Sequence, residues 1–229
     1  MKKIYFLFLS LIFSNSLALS PYTGSYELYA DTKMGNLKVG IATLNLIIND
    51  DKFIFTTEAK TESLWKALYD YTRYEKSTGN LRDGQVINDY FSVIEKNKDE
   101  VKKNYEVTIA TDRNYAISSS GKEWEIKPGL LVDSLTVYLA LANDMQNYPS
   151  NSEFTYQVVD QDGVEYLTFE AIGPEIVIIN KVKIPTIRVE CNELNLILNL
   201  SINNNFQPIK IQKLNGKTQF TMNLLEFTS

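Results

Sequence analysis

The chain has 229 residues, of which 44% are hydrophobic, and its formal charge at pH 7 is -5. Nucleic acids and anionic membrane surfaces are disfavoured as partners, because an acidic surface repels phosphate groups. The sequence contains no His, which excludes Ser-His-Asp and Cys-His catalysis and His-ligated zinc or haem. Cys191 is the single cysteine, so no disulfide can form within the sequence and packing alone must stabilise the domain.

The N-terminal segment has the pattern of a secretory signal peptide. Lys2 and Lys3 supply a positive start, and residues 4–13 form an apolar run that is too short to span a bilayer. Ser16 and Ala18 place small residues at the positions that a signal peptidase reads, so we predict residues 1–18 as a signal peptide cleaved after Ala18. An uncleaved membrane anchor is the alternative. The expected compartment is the periplasm.

Residues 19–229 are expected to form a single β-rich domain. No segment after the signal peptide approaches the length of about 20 apolar residues that a transmembrane helix needs, so none is predicted in the mature chain. The sequence shows no linker, internal repeat or low-complexity run. Loss of the two N-terminal lysines makes the mature chain more acidic than the precursor.

Period-two alternation of apolar residues is the dominant pattern, and it is typical of strands with one buried face. The first such row consists of Tyr22, Gly24, Tyr26, Leu28 and Ala30. Polar turn residues, such as those at 49–51 and 160–163, separate the alternating segments. The pattern predicts a mainly β protein, an antiparallel meander curled into a barrel or half-barrel.

The second strand shows a change of parity. Leu37 and Ile41 share one face, whereas Leu44 and Leu46 continue on the other. A bulge or a bend in a long strand produces such a change, so we predict one of the two between Ile41 and Leu44.

Two segments are predicted to be helical. Asp133 and Ser134 are interpreted as a structural cap for an amphipathic helix of about 133–147, in which apolar residues recur at helical spacing. Residues 63–70 are predicted to form a short helix, in which Leu64 and Leu68 lie one turn apart. Such a helix covers one face or the mouth of a curved sheet.

Three parts of the chain resemble the domain-of-unknown-function 3108 family of secreted bacterial proteins. They are the opening strands at 22–30 and 38–42, the segment PGLLVDSLTVYL at 128–139, and the closing segments at 182–190 and 206–211. The resemblance implies an envelope protein of Gram-negative bacteria. It implies no activity, because none is assigned to that family.

The aromatic residues around the short helix are the candidate binding residues. Trp65, Tyr69, Tyr71 and Tyr74 provide amphipathic rings that could line an apolar pocket or a partner interface, or could form the edge of the core. No catalytic residue, metal ligand or cofactor is predicted. Cys191 shares the parity of buried neighbours and is expected to be an inert core residue.

The preferred function is that of a periplasmic non-enzymatic protein that binds a lipid or another apolar envelope molecule in a barrel-like pocket. The alternative is a protein–protein interaction module in envelope assembly, with an envelope protein as its partner. A carboxylate-based hydrolase ranks last, because no pair of acidic residues stands out in the sequence.

Overall fold

The computed structural model describes residues 19–33, 35–82, 84–146 and 152–228. The predicted signal peptide, residues 1–18, lies outside these ranges. The strands are β1 (Tyr22–Thr32), β2 (Gly35–Asn49), β3 (Lys52–Thr61), β4 (Tyr71–Arg82), β5 (Gln85–Asn97), β6 (Glu100–Ala110), β7 (Tyr115–Ser118), β8 (Glu123–Glu125), β9 (Leu131–Asp133), β10 (Glu153–Asp160), β11 (Gly163–Ile179), β12 (Val182–Cys191), β13 (Leu196–Ser201), β14 (Pro208–Asn215) and β15 (Thr218–Thr228). The helices are α1 (Ser63–Leu68) and α2 (Val137–Met145).

These strands form a 15-stranded sheet in the order β8-β7-β6-β5-β4-β3-β2-β1-β15-β14-β13-β12-β11-β10-β9. Neighbouring strands are antiparallel except for β9 and β10, which are parallel. The first strand pairs with the last, so the sheet consists of two meanders joined at β1 and β15. The prediction of a mainly β protein with an antiparallel, curled sheet is confirmed.

The predicted alternation in β1 is confirmed, since Tyr22, Tyr26 and Ala30 are buried. The bulge in β2 lies at Val39 rather than between Ile41 and Leu44. Leu28 pairs with Gly40 and Tyr29 with Lys38, which leaves Val39 as the extra residue. The buried row of β2 therefore runs unbroken from Gly40 to Leu46, and Ile41 lies on the outer face.

The concave face of the sheet carries the hydrophobic core, and α2 packs against it. Phe53, Phe55, Phe91 and Phe169 are among the largest fully buried side chains. Most residues of α2 are buried on every side, so this helix is enclosed by the sheet rather than laid across its surface.

Helix α2 lies inside the predicted range 133–147 but begins at Val137, four positions later. Residues 134–136 form a turn that leads into the helix. The Asp133 carboxylate accepts hydrogen bonds from the backbone N–H groups of Leu135 and Thr136, each at 2.7 Å. These bonds lie in the turn before the helix, whose N-cap residue is Thr136 and has no side-chain capping hydrogen bond. The Ser134 hydroxyl is buried without a hydrogen-bond partner. The predicted capping of α2 by Asp133 and Ser134 is therefore not observed.

The end strand β9 lies against β5, the fourth strand from the other end of the sheet, but the described strands show no backbone pairing between these two. Side chains make the junction instead. Asn88 donates to the Asp133 carboxylate, and the Thr136 hydroxyl lies 2.8 Å from Asp133 Oδ2 and 2.9 Å from Asn88 Oδ1. The Tyr105 hydroxyl donates to Asp160, which joins β6 to β10 in the same way. We call this junction of Asn88, Tyr105, Asp133, Thr136 and Asp160 the seam.

None of the helices in the described ranges has the length and hydropathy needed to cross a lipid bilayer.

Candidate functional site

A cavity of about 580 Å³ lies on the concave side of the sheet. Strands from both meanders line it, and the turn before α2 closes one part of it. Folded interiors contain few voids larger than a water molecule, so a space of this size is not an ordinary packing defect.

One side of the cavity is an apolar wall, defined by residues of β1, β2, β13, β14 and β15. Its members are Leu28, Ala42, Leu44, Leu196, Ile211 and Met222. Cross-strand pairing makes part of this wall continuous, since Met222 pairs with both Leu28 and Ile211. Ala42 pairs with Ala59 of β3, and these two short side chains leave the space that larger residues would fill.

Charged side chains also line the cavity. Arg73 of β4 forms ion pairs with Glu75 at 2.6 Å and with Glu95 of β5 at 2.8 Å. The Thr57 hydroxyl donates to the second oxygen of Glu75 at 2.9 Å. Arg73 and Glu75 line the cavity, so the pair adds a polar surface to a lining that is otherwise largely apolar.

The charges around Arg73 favour its fully ionised form. Burial acts to lower the pKa of Arg73, but the carboxylates of Glu75 and Glu95 outweigh burial and raise it. Burial raises the pKa of neighbouring Tyr71 to about 12, so its hydroxyl stays protonated at neutral pH. Because Arg73 holds both carboxylates, this group has no free general base and does not resemble a hydrolase pair.

Two hydroxyl groups belong to the part of the cavity nearest to α2. Tyr138 lines the cavity, and its hydroxyl has no hydrogen-bond partner among the described residues. Burial, followed by the nearby charge of Glu75, raises the pKa of Tyr138, so it remains a neutral donor. Ser134 also lines the cavity with an unpaired hydroxyl. A ligand with a polar group could hydrogen-bond to either side chain.

The solvent-exposed lining residues define the mouth of the cavity. They include Lys103, Asp160, Asp162, Glu165 and Lys213. Asp160 accepts the hydrogen bond of the seam, whereas the side chains of the other four form no ion pair or hydrogen bond with a described residue. The mouth therefore presents unpaired charges of both signs.

The four aromatic residues singled out in the sequence lie outside the lining of the cavity. Tyr69 and Tyr71 stack with ring centroids 5.8 Å apart and an interplanar angle of 11°. Trp65 is half-buried on α1, and Tyr74 points to the opposite face of β4 from Tyr71. The structure thus pairs two of the four rings, and a binding role for them stays a prediction.

Cys191 is 1% exposed and belongs to the hydrophobic core, as its parity predicts. Burial raises the pKa of its thiol, which disfavours the reactive thiolate. Among the described residues, no group of three or more Cys, Asp or Glu side chains is arranged to hold a metal ion.

The sequence matches no known family model and none of the curated proteins with which it was compared. A solved structure with a similar fold is the crystal structure of a beta-barrel-like protein of domain of unknown function DUF1849 from Brucella abortus. The TM-score is 0.62 at 11% sequence identity, and the match covers 93% of this chain and 98% of that chain. At this identity the likeness establishes the barrel-like fold alone. The resemblance to the domain-of-unknown-function 3108 family stays a prediction.

Proposed function

We propose that this protein is an exported, periplasmic binding protein that holds an apolar or amphiphilic envelope molecule in the cavity without transforming it. The observation that carries the proposal is the cavity of about 580 Å³, which has a continuous apolar wall. Its volume falls within the range of about 300–1,000 Å³ that is typical of small-molecule sites.

Burial of an apolar ligand supplies the driving force for binding. Each methylene group moved from water to an apolar wall contributes about 0.8 kcal/mol, so a ligand with many methylene groups binds without a strong polar contact. The unpaired Tyr138 hydroxyl adds a donor that can orient such a ligand. Export through the predicted signal peptide would deliver the protein to a compartment bounded by two membranes.

Native mass spectrometry of the mature protein, purified from its own periplasm, tests the proposal. We expect a bound molecule in about one copy per chain, with organic extraction giving its class. A bare chain that takes up neither envelope lipids nor an apolar fluorescent probe would refute a binding role for the cavity.

A variant with a filled cavity locates the bound molecule. Ala59 lines the cavity and is only half-buried, so Ala59→Phe should occupy the space and abolish uptake of the probe. Ala67 is exposed on α1 and does not line the cavity, so Ala67→Phe is the matched control. Equal uptake by both variants would place the bound molecule elsewhere.

A second candidate function, as an interaction module for envelope assembly, is favoured by the tip of the β11–β12 hairpin. This tip extends beyond the pairing of β12 with β13, which begins at Thr186 of β12. Ile176, Ile178 and Val182 are 62%, 64% and 59% exposed there. Exposed apolar side chains grouped in this way are typical of protein contact sites.

Cross-linking in the native periplasm separates the two functions. An interaction module predicts that the double substitution Ile176→Ser and Ile178→Ser removes a specific cross-linked partner and leaves ligand uptake unchanged. An unchanged cross-linking pattern would count against the interaction module.

A further inference from the structure

We infer that the cavity selects an uncharged apolar molecule that carries a carbonyl oxygen, of the long-chain ester or ketone type, over the matching carboxylic acid. The inference rests on the proposed binding function and specifies the chemistry of the ligand. Two features of the cavity support it. Hydroxyl donors without a partner belong to the lining, and the charged groups in and beside the lining carry more negative than positive charge.

Apolar side chains line the cavity on several strands and at the turn into α2. Besides the apolar wall, they include Val158 of β10, Leu167 of β11 and Leu135 in the turn. A long apolar ligand therefore finds apolar contacts in more than one direction. Because the hydrophobic contribution to binding is non-directional, the polar groups of the lining determine which polar group the ligand can carry.

Tyr138 and Ser134 are the hydroxyl donors of the lining. They lie four residues apart across the turn that leads into α2, and both line the cavity. Neither hydroxyl has a hydrogen-bond partner among the described residues, since the nearby carboxylate of Glu75 bonds to Arg73 and Thr57 instead. A ligand carbonyl supplies the acceptor that these donors lack, whereas a pure hydrocarbon leaves them unpaired.

The charged group around Arg73 disfavours an anionic ligand. Two nitrogens of the Arg73 guanidinium contact Glu75 at 2.6 Å and Glu95 at 2.8 Å. One positive charge is therefore shared by two carboxylates, and the group as a whole is negative. A carboxylate ligand would have to displace one of them from Arg73 or stay unpaired, and both are unfavourable in a half-buried site. A neutral carbonyl requires neither.

The mouth does not favour an acid either. A carboxylate ligand in the reverse orientation would place its charge among Lys103, Lys213, Asp160, Asp162 and Glu165. The three carboxylates outnumber the two ammonium groups, so this region is negative as well. An acid is therefore repelled in both orientations, although solvent screens the exposed charges and they contribute less than the half-buried charges inside.

The first experiment compares an ester with its acid. Displacement of the hydrocarbon probe diphenylhexatriene from the delipidated protein is measured with methyl laurate and with laurate at pH 8, where the acid is ionised. We expect methyl laurate to displace the probe at a concentration about tenfold lower. Equal or stronger displacement by laurate, or displacement by neither, would overturn the inference and leave the proposed function intact. Failure to bind the probe, the ester and the acid alike, checked by native mass spectrometry, would overturn both.

The second experiment removes the donors. The double substitution Tyr138→Phe and Ser134→Ala keeps the apolar parts of both side chains and should weaken methyl laurate relative to diphenylhexatriene by about tenfold. The matched control is Tyr166→Phe with Ser120→Ala, since both residues are exposed and neither lines the cavity. Thermal unfolding checks that both variants fold. Equal loss of ester and hydrocarbon, or loss of neither, would overturn the inference, because the hydroxyls would then not recognise the carbonyl.

The third experiment tests the charge. Glu95 contacts Arg73 from outside the lining, so Glu95→Gln removes one carboxylate and keeps the lining side chains. It should reduce the preference for methyl laurate over laurate by about fivefold. Glu123 is exposed on β8 and does not line the cavity, so Glu123→Gln changes the net charge equally and should keep the original preference. An unchanged preference in a folded Glu95→Gln variant, or an equal reduction in both variants, would overturn the inference.

Discussion

Replacing Asp133 with Asn should remove a pH-dependent contribution to stability that originates in the seam. Asp133 is fully buried, and its carboxylate accepts hydrogen bonds from Leu135, Thr136 and Asn88. Burial outweighs these bonds and raises the pKa of Asp133 to about 6. Asn has the same shape, and its side-chain oxygen can still accept the two backbone hydrogen bonds of the turn at 134–136.

The sign of the effect follows from proton binding. In the unfolded chain Asp133 has the ordinary pKa of roughly 3.9, so between that value and pH 6 the folded protein holds a proton that the unfolded chain has lost. The contribution of Asp133 is therefore greatest below pH 4 and is lost as the pH rises through 6. A difference of about two pKa units corresponds to about 3 kcal/mol.

Urea unfolding of the protein and of its Asp133→Asn variant at pH 4, 5, 6 and 7 measures this contribution. The difference in free energy of unfolding between the two proteins should move by about 2 kcal/mol in favour of Asp133→Asn from pH 4 to pH 7, because part of the effect already occurs below pH 4. The contributions of all other titrating groups to the free energy of unfolding cancel in this difference, because both proteins contain those groups. A difference that stays constant over this range would refute the argument that Asp133 is protonated in the folded state near pH 5.

Three further substitutions or treatments test other contacts. Tyr105→Phe removes the hydroxyl bonded to Asp160 and should cost about 1 kcal/mol in urea unfolding, with an unchanged secondary-structure spectrum. Cys191 should resist a thiol reagent at pH 8 in the folded protein and react fully in urea, and rapid labelling of native protein would contradict its burial. Gly79→Ala should destabilise the protein by at least about 2 kcal/mol, because the new Cβ would lie 2.0 Å from the carbonyl oxygen of Ile87. Full thermal stability of that variant would show that β4 and β5 lie farther apart at Gly79 than the structure places them.

Local patterns explain which features could be predicted from the sequence. The alternation from Tyr22 to Ala30 requires only that one face of a strand be buried, and the structure buries that face. The Asp133 carboxylate binds backbone N–H groups that are close in sequence, those of Leu135 and Thr136, but in the turn before α2 and not at the helix N-terminus. The helix itself starts later than predicted, because apolar spacing does not distinguish a turn from the first turn of a helix.

A barrel-like pocket was expected, but the residues that line it could not be predicted, because the register of distant strands brings them together. Leu28 of β1, for example, pairs with Met222 of β15, and both line the cavity. One signal was present in the sequence: Arg73 and Glu75 share a strand parity that places both charges on one face. Such charges on an inward face indicate either a polar cavity or a buried ion pair.

The aromatic residues Trp65, Tyr69, Tyr71 and Tyr74 show that residues close in sequence need not be close in space. Tyr71 and Tyr74 are three residues apart, which would place them together on a helix. They lie on β4, where a spacing of three puts side chains on opposite faces. A cluster that is compact in sequence is therefore divided between the two sides of the sheet.

The pairing of β1 with β15 has a consequence for how the chain folds. The strand made first has its second neighbour at the far end of the described chain, so its open edge stays exposed until synthesis has passed Thr228. Hairpins such as β4–β5 can form early from local contacts, but closure at β1 requires a contact between distant parts of the chain, which is slow. Exposed strand edges recruit other chains, so the interval before closure is when aggregation competes with folding. A chain truncated before β15 lacks the strand that covers this edge, so the edge of β1 should stay exposed.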